Sequence, residues 1–298
     1  MNKKTILITG ATSGIGKHAA LHLLARGHRV IATGRNPGAL ERLEQEGPGL
    51  EMVRLDVTDP ASIAAAAAEI DKLTGGVGVD VLVNNAGYGM AAPLSETTDA
   101  DLRAQYETNV FGLMAVTRAF LPRMMERRAG RILNVSSVGG RVTFPLFGAY
   151  NSTKYAVESL SDALRRELRP FGVEVVLIEP GPIKTEFSNH AMEFVGKYRS
   201  DSSPYAAIYA RADEIKRQAD GMSAGPEVIS RAIEKAILAR RPAARYVAPF
   251  SSRLLLHFLT LLPTRWVDAL ITRATGLTRK GLAAGERRPV GEGASLPG

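Results

Sequence analysis

Tyr150 and Lys154 stand four residues apart in the segment YNSTK, and Ser137 lies thirteen residues before the tyrosine. On a helix, that spacing puts both side chains on one face, about a turn apart. A phenol titrates near ~10, too high to serve well at neutral pH. A neighbouring ammonium favours the phenolate and so lowers that value. Taken alone, such a pair would usually be a surface pair. Here it follows an apolar run at 130–135 that leads straight into Ser136 and Ser137.

A second constellation stands near the N-terminus. The apolar run at 5–9 enters TGATSGIG at 9–16, and a helical pattern follows immediately. Glycines let the backbone approach a pyrophosphate, and a helix N-terminus offers free N–H groups with a partial positive charge. Position after a first strand and before a helix makes an ordinary glycine turn a candidate dinucleotide site. Its residues are Gly10, Thr12, Ser13, Gly14, Ile15 and Gly16, with the spacing Gly10-x3-Gly14-x-Gly16. An acid at the end of the second strand would hold the ribose hydroxyls of NAD and repel a 2′-phosphate. The chain reads Thr33-Gly34-Arg35-Asn36 there. The acid is missing, and Arg35 offers a planar fork of donors suited to phosphate. This favours NADP over NAD, with Ser13 as a second donor.

The elements that must position these groups follow from apolar patterning. Runs at 5–9, 29–33, 51–55, 79–83, 130–135 and 173–179 carry consecutive Val, Ile and Leu, as strands covered on both faces do. Helical patterns lie between them at 16–26, 36–45, 60–73, 98–127 and 150–169. Strand–helix–strand repetition predicts an α/β fold, a doubly wound, mostly parallel, Rossmann-type sheet with helices on both faces. Residues 185–225 mix aromatic and charged positions without strand character, as one or two helices of an apolar lid would. A further helix at 226–239 and a last strand at 245–248 complete a single catalytic domain over 1–250. Residues 251–279 read as a C-terminal helical extension, and the Gly/Ala/Pro-rich stretch 280–298 as a disordered tail.

TGATSGIG, Asn84-Asn85-Ala86-Gly87, Asn109, Ser137, YNSTK and Pro180-Gly181 occur in the order typical of the short-chain dehydrogenase/reductase family. The resemblance covers roughly residues 4–185. SVGG at 137–140, GYG at 87–89 and the long extension make it most similar to NADP-dependent members of hydroxysteroid- or retinol-dehydrogenase type. It implies that Tyr150 gives a proton to a substrate carbonyl oxygen that Ser137 hydrogen-bonds. It implies that Lys154 binds the nicotinamide ribose and lowers the tyrosine pKa. Asn109 is expected to hold a water linking Lys154 to solvent; without its register it would read as a residue that kinks or caps a helix. Asp56, with Val57 beside it, is expected to accept from the adenine amino group; otherwise it would cap the next helix. Asn84, Ala86 and Gly87 are expected under the adenosine ribose. Pro180, Gly181, Ile183 and Thr185 are expected at the nicotinamide carboxamide and diphosphate. No catalytic position departs from the family pattern.

Tyr88, Met90, Val138, Phe144, Leu146, Phe147, Ile183, Phe187 and Met192 are the residues expected at the substrate mouth, all apolar or aromatic. Such a ring suits a small lipophilic carbonyl or alcohol, for example a steroid, retinoid or long-chain carbonyl. A ketoacyl reductase and an NADPH-binding redox sensor with little turnover are the alternatives. The apolar lid argues against the first, and the intact tetrad against the second.

The chain has 298 residues and a net charge of +8 without a long basic block, so a nucleic-acid partner is not expected. It contains no cysteine, which excludes disulfides and thiolate chemistry, and no metal site is expected. The N-terminal apolar stretch TILIT is too short for a secretory signal, and the reading is a soluble, cytoplasmic protein. Apolar residues on several faces of the helical patterns 98–127 and 150–169 point to a homodimer or homotetramer. The apolar run 253–262 cannot span a bilayer. It is either a peripheral membrane helix or, more in keeping with its all-round apolarity, one packed on the protein or a partner subunit.

Overall fold

The computed structural model describes residues 3–283. Seven strands form one parallel sheet in the order β3-β2-β1-β4-β5-β6-β7. The first half alternates β1 (Thr5–Ile8), α1 (Gly14–Ala25), β2 (Arg29–Gly34), α2 (Pro37–Glu46), β3 (Glu51–Arg54), α3 (Pro60–Leu73) and β4 (Val81–Asn84). Side chains alternate across the strands. Ile6 and Ile8 pack under α1 and the later helix α10 (Glu227–Leu238), whereas Leu7, Leu82 and Ile132 pack under α3 and the later helix α5 (Leu113–Glu126). Both faces are therefore covered, and the strands are apolar at consecutive positions for that reason.

The strand order reverses between β1 and β4. The connections leaving their C-terminal ends pass to opposite faces of the sheet, α1 to one and the helices after β4 to the other, and open the crevice where ligands of doubly wound sheets bind. The glycine turn leaves β1 at this point, and Asn85-Ala86-Gly87 leaves β4 beside it.

The helical pattern expected over 98–127 is three pieces. They are α4 (Asp99–Tyr106), a π-helical segment (Glu107–Gly112) and α5 (Leu113–Glu126). Then come β5 (Gly130–Val135), α6 (Gly148–Leu168) and β6 (Val173–Pro180). The lid holds three helices rather than one or two: α7 (Phe187–Tyr198), α8 (Ala206–Tyr209) and α9 (Ala212–Met222). It is tied down on the loop after β4. The Tyr209 hydroxyl donates to Glu96 at 2.7 Å, and the Tyr198 hydroxyl accepts from the Thr98 amide at 2.9 Å.

α10 (Glu227–Leu238), β7 (Arg245–Ala248), α11 (Phe250–Leu261), α12 (Thr264–Thr275) and α13 (Arg279–Ala283) complete the chain. The extension packs on the protein: Leu256 and Leu259 are buried with Val142, against Val138, Phe144, Val267 and Ile271. The tail expected to be disordered from residue 280 begins as the end of α13, and 284–298 lies outside the described residues. Among the described residues no helix is long and apolar enough to cross a membrane.

Candidate active site

The turn after β1 is built for close approach. Gly10 and Gly14 hold φ of +62° and +53°, in the left-handed region that side chains disfavour. A Cβ on Gly16 would stand 2.4 Å from both Asn85 Nδ2 and the Gly10 carbonyl oxygen. Asn85 donates to the carbonyls of Thr9 and Gly10 at 3.0 and 3.1 Å, locking the end of β4 to the turn. Ser13 caps α1 in position only: its side chain makes no capping hydrogen bond and it is exposed. The hydroxyl and the first N–H groups of α1 therefore remain as donors for a phosphate. Ile15 and Ile183 turn instead onto the core beneath α1.

Arg35 is exposed directly after β2, and Thr12 packs against Gly34. Arg54, paired with Gly34 in the β2–β3 register, is a second exposed arginine at that corner. Nothing in the strand pattern marked it. Asp56 lies within reach of both charges. Its carboxylate accepts from the Thr58 amide and hydroxyl at 2.9 and 2.7 Å. Those bonds, the amide's first, hold it below the usual carboxylate range, and Arg35 and Arg54 add to them. Asp56 does not cap α3; Asp59 does, through the Ala61 amide at 2.9 Å. Val57 is buried, its carbonyl 2.6 Å from where a Cβ on Gly112 would lie.

Asn109 sits in the π-helical segment, a form often found at functional sites. Its Oδ1 accepts from the Tyr88 amide at 3.1 Å, and its Nδ2 donates to the Tyr88 carbonyl at 2.9 Å and Thr153 Oγ1 at 3.1 Å. A Cβ on Gly87 would come within 2.9 Å of Asn109 Oδ1 and 3.8 Å of Lys154 Nζ, so Asn109, Gly87 and Lys154 converge. Lys154, on α6, is buried and donates to the Val135 carbonyl at 2.9 Å. Burial pulls its ammonium down to about 8, against the opposing pull of Glu158. Ser137 accepts from the Gly139 amide at 3.0 Å and faces the Pro180 carbonyl at 3.5 Å.

Burial pushes the Tyr150 phenol up to about 12, and the Ser137 hydroxyl beside it pulls back a part. The lowering expected from Lys154 is therefore reversed in direction. Lys154 Nζ stands 5.7 Å from the Tyr150 ring centroid and is engaged by a backbone carbonyl, so burial decides. Phe187 covers the tyrosine, with ring centroids 5.0 Å apart, and Phe147 lies edge-on at 6.4 Å. A Cβ on Gly89 would come within 2.1 Å of the Phe187 ring.

A glycine turn at the switch point, four convergent polar side chains and an arginine corner fit NADP(H). A family model described as short chain dehydrogenase matches residues 4–195. The chain belongs to the short-chain dehydrogenase/reductase family. It is 35% identical over 269 residues to an NADPH-dependent 3-dehydrocapnine reductase from Ornithobacterium rhinotracheale, covering 89% of this chain and 94% of that protein. It is 35% identical over 245 residues to a 3-ketodihydrosphingosine reductase from Bacteroides thetaiotaomicron, covering 82% of this chain and 87% of that protein. The crystal structure of a short-chain dehydrogenase from Streptomyces avermitilis matches with a TM-score of 0.74 at 33% identity, over 94% of this chain and 98% of that one.

Not every anticipated residue of this short-chain dehydrogenase/reductase faces the crevice. Asn84 is buried, its amide donating to Thr117 Oγ1 and Asn134 Oδ1, both at 2.9 Å. It braces β4 against β5 and α5, and its neighbour Asn85 holds the turn. Ala86 packs on the core beneath α3 and α5. Met90 is fully buried with Ala92 and Ala149 under the lid, and Met192 packs inside the lid, so neither stands free at a mouth. Tyr88 stacks on Phe194 of α7 at 6.1 Å. Thr185 lies against Gly14, 3.4 Å from where a Cβ would be, and joins the lid base to the phosphate turn. Phe144 and Leu146 line a cavity of about 220 Å³ with Pro93, Leu94, Tyr205 and Leu277. Gly181 is pressed by Ser252 of α11, whose Oγ would stand 2.0 Å from a Cβ there.

Behind Lys154 the enzyme buries charges that no motif announces. Glu158 and the fully buried Glu179 share Arg245, at 3.0 and 3.1 Å, and Arg141 stands 3.6 Å from Glu179. Burial first, then the Glu158 charge, pushes Glu179 up to about 7. A carboxyl raised above its unfolded value stabilises the fold below that unfolded value. Its contribution is lost as pH climbs through the folded one. Glu179→Gln removes this loss. Its melting temperature relative to wild type is expected to rise between pH ~4.5 and ~7 and level off above, by roughly 2–4 °C per kcal/mol relieved. A difference independent of pH in thermal melts would show that the carboxylate is fully compensated.

Proposed function

We propose that this enzyme, an NADP(H)-dependent oxidoreductase of carbonyl and alcohol groups, reduces the ketone of a long-chain lipophilic substrate. The observation that carries the reading is the aromatic cover on Tyr150, with Phe187 at 5.0 Å and Phe147 at 6.4 Å. An apolar enclosure gains affinity by burying hydrocarbon. The two relatives named as reductases of 3-dehydrocapnine and 3-ketodihydrosphingosine support a lipid ketone within that class.

NADPH, when bound, supplies hydride to the carbonyl carbon. Tyr150 gives its proton to the carbonyl oxygen, and Ser137 hydrogen-bonds and positions that oxygen. Lys154 holds the nicotinamide ribose hydroxyls. Asn109 Oδ1 accepts one hydrogen bond and keeps a second lone pair; there it holds the water that reconnects Lys154 to solvent. Ser13 and the N-terminus of α1 bind the diphosphate, Arg35 the 2′-phosphate and Asp56 the adenine. Pro180, Gly181 and Thr185 would hold the carboxamide, with Ile183 meeting it through its backbone because its side chain packs beneath α1.

The test is NADPH absorbance with purified enzyme and a panel of long-chain ketones, steroids, retinoids, sugars and acyl thioesters. The expected result is kcat/KM rising with ketone chain length. Preference for sugars or acyl thioesters would overturn the substrate class, and NADPH binding without turnover on any of them would make the protein a sensor.

The enzyme assembles as a homodimer or homotetramer. Most apolar residues expected to serve this on the π-helical segment, α5 and α6 are spent inside the subunit: Val110, Leu113, Val116, Phe120 and Val157 are buried. Phe111 of the π-helical segment and Tyr155 of α6 are the exposed aromatics, at 55% and 43%. Light scattering should give a multiple of the 32.0 kDa chain mass. Phe111→Glu with Tyr155→Glu should return it to one chain. A monomeric wild type at micromolar concentration would contradict the assembly.

A further inference from the structure

α11 buries one face and leaves the other bare. Its buried residues are Ser252, Leu256 and Leu259. Away from them, Phe250, Leu254, Phe258 and Leu261 recur at spacings of four, four and three, which draws a single stripe along a helix. They are 67%, 56%, 55% and 71% exposed. α12 adds Trp266 and Leu270, one turn apart and 65% and 49% exposed. Isolated apolar residues on a surface need no explanation, but a contiguous stripe marks an interaction.

The charges nearby indicate the partner. Arg253, Arg265, Arg273, Arg279 and Lys280 are all exposed, and Asp268 is the one acid from Phe250 to Lys280. Among the described residues none of these five pairs with a carboxylate. A second copy docked through the same face would set these cations against their own equivalents, since a two-fold interface pairs a patch with itself. An anionic bilayer satisfies both features. Leucine and phenylalanine enter the acyl boundary, tryptophan sits at headgroup level, and arginines meet lipid phosphates. With twelve residues α11 reaches only about 18 Å, enough to lie in the interface and too short to cross it.

We propose that α11 and α12 dock the enzyme on the surface of an anionic phospholipid bilayer. The opposite face of α11 packs on Val138, Val142 and Phe144, and Ser252 presses on Gly181. Docking therefore holds the loop that carries Ser137 directly behind α11, one helix away from the lipid surface where a lipophilic ketone would partition. The inference stands on this surface and not on the identity of the substrate.

Flotation of the full chain with vesicles tests it, using phosphatidylcholine alone and phosphatidylcholine mixed with phosphatidylglycerol. Wild type is expected to float with the mixed vesicles and to bind phosphatidylcholine alone about tenfold more weakly or worse. Leu254→Glu with Phe258→Glu should abolish flotation while leaving NADPH binding and the melting temperature unchanged. Arg253→Gln with Arg265→Gln, which spares the apolar stripe, should cut binding to the mixed vesicles alone. Wild type that ignores both vesicles, or glutamate variants that float as it does, would overturn the proposal. So would a drop in oligomeric mass on Leu254→Glu with Phe258→Glu, which would make the stripe a self-interface.

Discussion

Tyr150→Phe is expected to lower turnover by about 10²–10⁴-fold, the usual contribution of a positioned general acid, while NADPH binding stays nearly intact. The substitution deletes one oxygen and keeps the ring, so the contacts with Phe187 and Phe147 persist. Lys154 is fixed by the Val135 carbonyl and Asn109 by Tyr88 and Thr153, and none of these bonds involves the phenol. The fold and the nucleotide cradle therefore survive the change. With its phenol pushed up to about 12, Tyr150 is protonated throughout the neutral range, as an acid for reduction must be. Alcohol oxidation needs the phenolate instead, so the wild-type rate in that direction should climb with pH. Steady-state kinetics in both directions, with nucleotide fluorescence for binding, check this. Activity near wild type would remove Tyr150 from the chemistry.

Much of the site was legible because its chemistry is local. Tyr150 and Lys154 lie on one helix, and Gly10 to Gly16 form one turn, so spacing alone sets their geometry. Features assembled from distant segments were not. Glu179 lies on β6, Glu158 on α6 and Arg245 on β7, and only packing brings them together. Asn84 and Asn85 are adjacent and equally polar. β4 is buried at all four positions, so it lacks the alternation that would show which asparagine turns inward. The π-helical segment carries no periodicity of its own, and the pattern 98–127 reads as an unbroken helix. Likewise the run 253–262 is apolar nearly all round. Its buried line was settled by the loop it covers, through Val138, Val142 and Phe144.

Arg35→Ala is expected to weaken NADPH by about 10–100-fold and NADH hardly at all, because a hydrogen bond to a charged group contributes ~1.5–3 kcal/mol. The arginine is exposed and makes no hydrogen bond to the rest of the described chain, so its loss should not disturb β2. Arg54 beside Gly34 brings a second positive charge to the same corner. Arg54→Ala should therefore cause a smaller loss in the same direction, and the double variant the largest. Introducing the missing acid at Gly34 is the obvious route to NADH, but it would push the Thr12 side chain aside. A Cβ there would stand 2.5 Å from the Thr12 methyl, and the displaced Thr12 belongs to the phosphate turn. Arg35→Asp places the acid on exposed backbone instead and should reverse the preference, repelling the 2′-phosphate while accepting from ribose hydroxyls. The ratio of kcat/KM for the two nucleotides reads all four variants. Equal losses for NADPH and NADH on Arg35→Ala would show that the arginine is a solvated surface residue and that the 2′-phosphate is held elsewhere.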